Sequence, residues 1–304
     1  TPNDLHRLLD APNVQLHGLI VGNKIAAATM VAIEGGLDPD LCDDIYWGRT
    51  RLRGHALPET LVSHSIMPDS GTMKMVRSVR IAVHPALRRR GLATKLIDCV
   101  HNSYSPDLFG TIFGATDGLL KFRHSVGYEL VRLGASRGSR TGEPAAVMVK
   151  PVSERAVRMV ACLRGRLSRD LSGHLKLIET GTGYIIDNPL REQLYSNLPA
   201  PIHLEAQEAE ALITTYAFGP RTQEAASVAL RLYVDKYLHL VDELPLRDRV
   251  LLKGRILDGT AWPEMTQLVG LPSIPATMRA VRRSFRALVF VATPNLVPAH
   301  IRIV

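Results

Sequence analysis

Three cysteines, Cys42, Cys99 and Cys162, are all that the 304 residues provide. They lie far apart, in neither the spacing of a metal site nor that of a disulfide framework, so a reducing, cytoplasmic setting is expected and no metal is called for. No run is long and apolar enough to span a bilayer, so no membrane partner is expected. No charged leader with an apolar core opens the chain. No Ser-His-Asp or Cys-His arrangement is suggested, which leaves a covalent enzyme intermediate without support. Acidic residues are outnumbered, 29 against 37 Lys and Arg, and the net charge of +8 favours a polyanionic partner. The rest is an ordinary globular composition, 46% hydrophobic and 22% charged, long enough for two domains with separate cores. Pro151 marks the expected boundary, giving 1–150 and 151–304. The chain begins at Thr1 rather than Met, and the expectation is a piece of something longer.

One stretch organises the first half: Arg77-Ser-Val-Arg-Ile-Ala-Val-His-Pro-Ala-Leu-Arg-Arg-Arg-Gly-Leu-Ala-Thr-Lys-Leu96. The β-branched run Val79 to Val83 reads as a buried strand. His84-Pro85 ends it, because proline cannot continue the hydrogen-bond ladder. A helix-period run follows through Leu96, Ile97 and Val100. Strand, basic glycine-containing turn, helix: the free amides and the helix dipole make a socket for phosphate oxygens. Gly91 and Ala93 are small where a diphosphate must approach the backbone, and Arg88, Arg89 and Arg90 add positive charge.

Around this stretch, Thr1-Pro-Asn-Asp4 predicts a helix start. Val14–Val21 and Lys24–Ile33 predict a hairpin turning at Gly22-Asn23. Thr111–Thr116, Tyr128–Leu133 and Ala145–Lys150 read as strands, with a short helix from Asp117 to Val126 and a polar loop from Gly134 to Glu143. Between hairpin and phosphate turn, Arg49, Arg51 and Arg53 alternate and would share one side if extended. They fit either a solvated loop or an RNA or substrate contact with Trp47 nearby for stacking. The second half reads as helical with proline-rich joints: Glu154–Leu167, Gln207–Tyr216, Thr222–Val241, Leu246–Leu257 and a basic helix from Ser273 to Val291. Arg279, Arg282, Arg283 and Arg286 fall at offsets of three and four on one broad face of that last helix. That face is either simply solvated or a phosphate-binding stripe. Eight Lys and Arg against three Asp and Glu from Arg247 to Arg286 tip the reading towards nucleic acid.

Arg88-x-x-Gly91-x-Ala93 after a Val-His-Pro-ended strand resembles the acetyl-coenzyme A loop of the GNAT acetyltransferases. The resemblance implies an α/β GNAT fold, a mixed sheet flanked by helices, followed here by a mainly α-helical tail. It also implies that Ile81, Ala82 and Val83 pair with the pantetheine arm of acetyl-CoA. The diphosphate would be held by Arg88, Arg89, Arg90, Gly91, Leu92, Ala93 and Thr94.

Further stretches carry a narrower resemblance. Thr1-Pro-Asn-Asp-Leu5, Asp10-Ala-Pro12, Glu34-Gly-Gly36, Trp47-Gly-Arg49, Arg53-Gly-His55, Arg80-Ile-Ala-Val-His-Pro85, Phe113-Gly-Ala-Thr116, Leu120-Lys-Phe122, Gly127-Tyr-Glu-Leu-Val-Arg132 and Thr141-Gly-Glu143 resemble the C-terminal half of the tRNA cytidine acetyltransferases. The family implies an acyltransferase making N4-acetylcytidine in RNA, at the wobble cytidine of a tRNA. Its members carry an ATP-using helicase-like module upstream, so ATP would enter only through that part of the polypeptide. Relatives often have Pro-Glu at Asp117-Gly118 and Trp at Arg123, and some have Arg at Ser125. Because the cytosine amine is a poor nucleophile, a general base would help. Glu34, at the end of a central strand, is the first candidate; His55 and Glu143 follow. The amide at the Val83 strand end is the expected oxyanion donor. Two other readings stay open: an acetyl-CoA-responsive DNA-binding regulator with a helix-turn-helix over Gly254–Arg286, and a protein-lysine acetyltransferase.

Overall fold

The computed structural model describes residues 11–137 and 142–302. The expected opening helix lies outside them. Close contacts divide the chain into two units. The first holds the described residues through Ile45, then Arg49–Gly165 and Asn188–Pro199. The second holds Tyr46–Gly48, Arg166–Asp187 and the chain from Ala200 onward.

The first unit is built on a six-stranded mixed sheet in the order β1-β2-β3-β4-β6-β5. Strands β1 (Val14–Val21) and β2 (Lys24–Gly35) form the expected hairpin, with Gly22 supplying the positive φ of the turn. β3 (Lys74–Val83) is antiparallel to β2 and parallel to β4 (Leu108–Gly114). It starts five residues before the β-branched run read from the sequence. β6 (Pro144–Pro151) lies antiparallel to both β4 and β5 (Glu129–Arg137).

Two helices that the sequence reading missed, α1 (Pro39–Tyr46) and α2 (Ala56–Ser65), fill the connection from β2 to β3. Leu57 and Leu61 of α2 pack with Met75, Leu108, Val147 and Val149 of the sheet in one buried cluster. Gly110 permits this approach: a Cβ there would stand 2.3 Å from Leu57 Cδ2. The β3–β4 crossover carries α3 (Leu92–Ser103), whose Leu96, Ile97 and Val100 are buried. α4 (Asp117–Ser125), capped by the Thr116 hydroxyl, joins β4 to β5.

Past Pro151 the helix α5 runs from Glu154 to Thr182, twice the length its sequence pattern suggested. Its first turns bury Ala156, Met159, Val160 and Leu163 in the same cluster as Leu57. The division by contacts therefore falls after Gly165, inside the helix, rather than at Pro151. α6 (Asn188–Tyr195) also belongs to the first unit.

The second unit is helical. It comprises the rest of α5 with α7 (Ala206–Phe218), α8 (Gln223–Lys236), α9 (Leu238–Glu243), α10 (Leu246–Leu252), α11 (Trp262–Leu268), α12 (Ile274–Ala292) and α13 (Ala299–Arg302). A π-turn, Lys253–Leu257, extends α10 and buries Arg255 completely. That guanidinium donates to Gln223 Oε1 at 3.1 Å and Thr260 O at 2.8 Å, and lies 4.0 Å over the Trp262 ring. α12 turns Val281, Phe285, Leu288 and Val289 inward. Ser273 caps its start and Pro275 occupies its first turn, where proline is tolerated.

Candidate active site

The sheet opens at one place. β3 and β4 are paired from Met75↔Leu108 to Ser78↔Thr111, and there the pairing stops. Val79 is the extra residue of a bulge against β2, where Met30 pairs with Arg80 but Val31 with Ser78. Beyond the bulge β3 keeps β2 on one side, through Thr29↔Ile81, Ala28↔Ala82 and Ala27↔Val83. β4 continues along β6 through Gly114. Residues 79–83 and 112–114 thus face each other across a wedge with unpaired inner edges. Unpaired edge groups are a template for an extended chain carrying its own amides. The β3 side of the wedge is about 13 Å long at strand rise.

The wide end of the wedge leads into the phosphate turn. His84 Nδ1 accepts from the Ala86 amide, and a single 3-10 turn covers Pro85–Leu87. Arg89 has φ +60° and Gly91 φ +76°, both left-handed, with Gly91 as the N-cap of α3. The first helical bond of α3 runs from Lys95 N to Gly91 O, so the preceding amides have no partner within the helix. Arg88, Arg89, Arg90 and Gly91 are exposed, and a Cβ at Gly91 would meet nothing within 4 Å. Ile81, Ala82 and Val83 line the wedge, and the turn residues Arg88–Thr94 follow at its wide end. An exposed basic turn at a helix N-terminus beside an unpaired strand edge fits a diphosphate bearing an amide-containing arm.

Glu34 stands elsewhere. It pairs with Met75, four residues along β2 from Met30 and about 13 Å from the bulge. Its side chain is fully buried, with Oε1 2.7 Å from Arg77 Nε and Oε2 accepting from the Leu57 amide at 2.8 Å. The carboxylate caps α2 and balances Arg77, so the free base expected from its strand-end position is not what the geometry offers. His55 Nδ1 accepts from the Gly35 amide at 3.1 Å, which ties the same corner together. Glu143 directly precedes β6.

The arginines read as RNA contacts divide by environment. Arg49 follows α1 in a turn and bonds Asp43 and Asp44. Arg51 and Arg53 are exposed in an irregular stretch, so the alternation does not come from a strand. On α12, Arg279, Arg283 and Arg286 are exposed and Arg282 is half-buried. Arg282 and Arg286 bend back onto their own unit. Arg282 donates to Gly219 O and Arg221 O and lies 4.9 Å over Tyr216. Arg286 donates to Ala217 O and lies 5.3 Å over Phe218. These two fasten the α7–α8 joint rather than extending a stripe.

Sequence reasoning missed a polar group at the closed end of the wedge. Ser78 Oγ accepts from Arg123 Nη2 at 3.1 Å, and Thr111 Oγ1 donates to Ser78 O. Behind it, His101 Nε2 is 3.2 Å from Tyr128 Oη, and Lys150 Nζ is 3.1 Å from His101 Nδ1. Burial, then the Lys150 charge, pushes His101 down to about 4; burial raises Tyr128 to about 12. Both are neutral at pH 7. A serine, an arginine and a histidine scattered over 46 residues carry no spacing signal.

The GNAT acetyltransferase 2 family model matches residues 1–108. A tRNA(Met) cytidine acetyltransferase from Nitrosococcus halophilus is 30% identical over 95% of the chain. The chain is thus similar, over nearly its whole length, to part of the tRNA(Met) cytidine acetyltransferases. A second relative, from Haloferax volcanii, is 28% identical over 95% of the chain. The chain spans 39% and 38% of the length of these two relatives. Among solved structures, the ribosomal-protein-S18-alanine N-acetyltransferase of Escherichia coli aligns with a TM-score of 0.34 at 12% identity, covering 50% of this chain and 77% of that one. In this chain the GNAT fold is followed by the helical tail, and among the described residues no helix is long and apolar enough to cross a membrane.

Proposed function

We propose that this chain transfers an acetyl group from acetyl-CoA to the N4 amine of a cytidine in RNA, the wobble cytidine of a tRNA. The observation that carries this reading is the wedge between β3 and β4 running into the exposed basic turn at Arg88–Thr94. The edge groups of residues 79–83 would pair with the pantetheine arm, and the turn amides with Arg88, Arg89 and Arg90 would hold the diphosphate. Acetyl-CoA supplies the activated acetyl group; the protein's part is to bind, orient and exclude water. An arm anchored at the turn places its far end at the Val79 bulge, not at Val83. The oxyanion donor is accordingly assigned to the backbone around Val79 instead of the strand end.

The RNA would be held by phosphate contacts from exposed cations, Arg51, Arg53, Arg279 and Arg283 among them. The target base must be unstacked before its amine can reach the wedge, which costs a few kcal/mol. The test is to incubate the chain with acetyl-CoA and tRNA, digest the RNA, and search the nucleosides for N4-acetylcytidine by mass spectrometry. Product that depends on acetyl-CoA and disappears in the Gly91→Glu variant is expected. Acetylation of protein lysines in the same mixture, with none of cytidine, would replace this reading.

A further inference from the structure

Arg123 is a buried cation without a counter-charge. It is 5% exposed, and among the described residues no carboxylate pairs with it. Its Nη1 is buried with no hydrogen-bond partner. Its guanidinium lies 5.3 Å from the Tyr128 ring centre and 5.7 Å from that of Phe122, and Nη2 donates to Ser78 Oγ. An isolated buried charge is costly unless something compensates it. Burial lowers the Arg123 pKa, in keeping with that cost.

The position of Ser78 says where compensation would come from. It is the last β3 residue paired with β4, so it stands at the closed end of the wedge. A hydroxyl that accepts from a cation has its own hydrogen left to donate. The remaining titratable groups of the cluster do not supply an anion. Tyr128 just before β5 and His101 on α3 are neutral, and Lys150 on β6 is a second cation. These groups thus surround a site that favours negative charge.

We propose that Ser78 and Arg123 form the anion-stabilising end of the wedge: Ser78 donates to the sulfur that the acetyl group leaves, and Arg123 holds Ser78 and favours thiolate over thiol. This rests on the acetyl-CoA reading above. In the transfer, the C–N bond forms as the C–S bond breaks, the bonding pair stays on sulfur, and the surplus proton of the amine passes to solvent. Ser78 touches the leaving atom; Arg123 is a positioning residue that acts through it and through its charge.

The test uses coenzyme A itself as probe. Its thiol is titrated by ultraviolet absorbance of the thiolate, free and bound, with wild type, Ser78→Ala, Arg123→Lys and Arg123→Met. Affinity is measured alongside by calorimetry. Wild type should lower the bound thiol pKa by about one to two units, the range for a nearby opposite charge. Arg123→Met should abolish the shift, Ser78→Ala should reduce it, and Arg123→Lys should keep most of it. Variants that bind coenzyme A and titrate as wild type does would overturn the proposal. Ser78→Ala gives this comparison even if Arg123→Met fails to fold. A wild-type chain that binds no coenzyme A would instead remove the wedge assignment, and this proposal with it.

Discussion

Arg282 and Arg283 are neighbours in sequence and opposites in environment. Arg282 donates to two backbone carbonyls at the α7–α8 joint, whereas Arg283 points to solvent. Hydrogen bonds from a charged donor contribute more than neutral ones. Arg282→Ala should therefore lower stability by about 2–3 kcal/mol in urea titrations. Arg283→Ala should change it by no more than about 0.5 kcal/mol. Only the second is expected to act purely on RNA binding, flattening the salt dependence by about one unit of slope. The reverse pattern would show that the two roles have been exchanged. Helical spacing put all four arginines on one face, but it carries no information about which acceptors that face meets. Glu34 makes the same point. Its strand-end position was legible; its engagement by Arg77 and the Leu57 amide was not, because Leu57 belongs to a helix the pattern did not reveal. Glu34→Gln should cost about 3 kcal/mol, as breaking a buried ion pair does, measured by denaturant unfolding. Loss of acetyl transfer with unchanged stability would reinstate Glu34 as a base.

At the scale of elements, the strands that pair with near neighbours were readable from β-branched runs and turns. The hairpin ends agree with the sequence reading to within two residues at Gly35. β3 was read only in its second half, since Lys74-Met-Val-Arg-Ser78 mixes charge with apolar residues, and Arg77 is held by a carboxylate no local rule foresees. α1 and α2 were hidden by Pro39 and Pro58, which sit in first turns where proline is tolerated. α5 outran its reading: its later turns bury Leu171, Leu175 and Ile178 at helical spacing, while Arg169 pairs with Asp170 and Glu208. The contact of α3 with Tyr128 and with Lys150 of β6 through His101 makes a pH prediction. The unfolded imidazole titrates near 6.5 and the folded one near 4, so between these values the unfolded chain binds more protons. This contribution to stability is full above pH 6.5 and is lost as pH falls towards 4. The urea midpoint of wild type should drop over that window, and His101→Gln should remove part of the drop. Parallel curves for the two proteins would exclude His101 as a source.

For the whole molecule, the exposed basic turn was legible, because strand, basic glycine turn and helix are contiguous there. The wedge was not legible, since it exists only through what β4 fails to pair with, 30 residues away in sequence. The domain boundary was likewise hidden: Pro151 ends a strand, but the apolar face of α5 that follows still serves the sheet. The tail's net basic composition was readable, while the use of Arg255, Arg282 and Arg286 inside its own packing was not.

The central claim is that residues 79–94 hold acetyl-CoA, and calorimetry with acetyl-CoA tests it most directly. Gly91→Glu sets an anion where the diphosphate should lie, in space that no other atom fills. Gly91→Ala imposes the same positive-φ strain, about 1 kcal/mol, without the charge. Wild type should bind, Gly91→Ala should bind at reduced stability, and Gly91→Glu should lose at least about tenfold in affinity, or 1.4 kcal/mol. Equal affinity for wild type and Gly91→Glu would contradict the account.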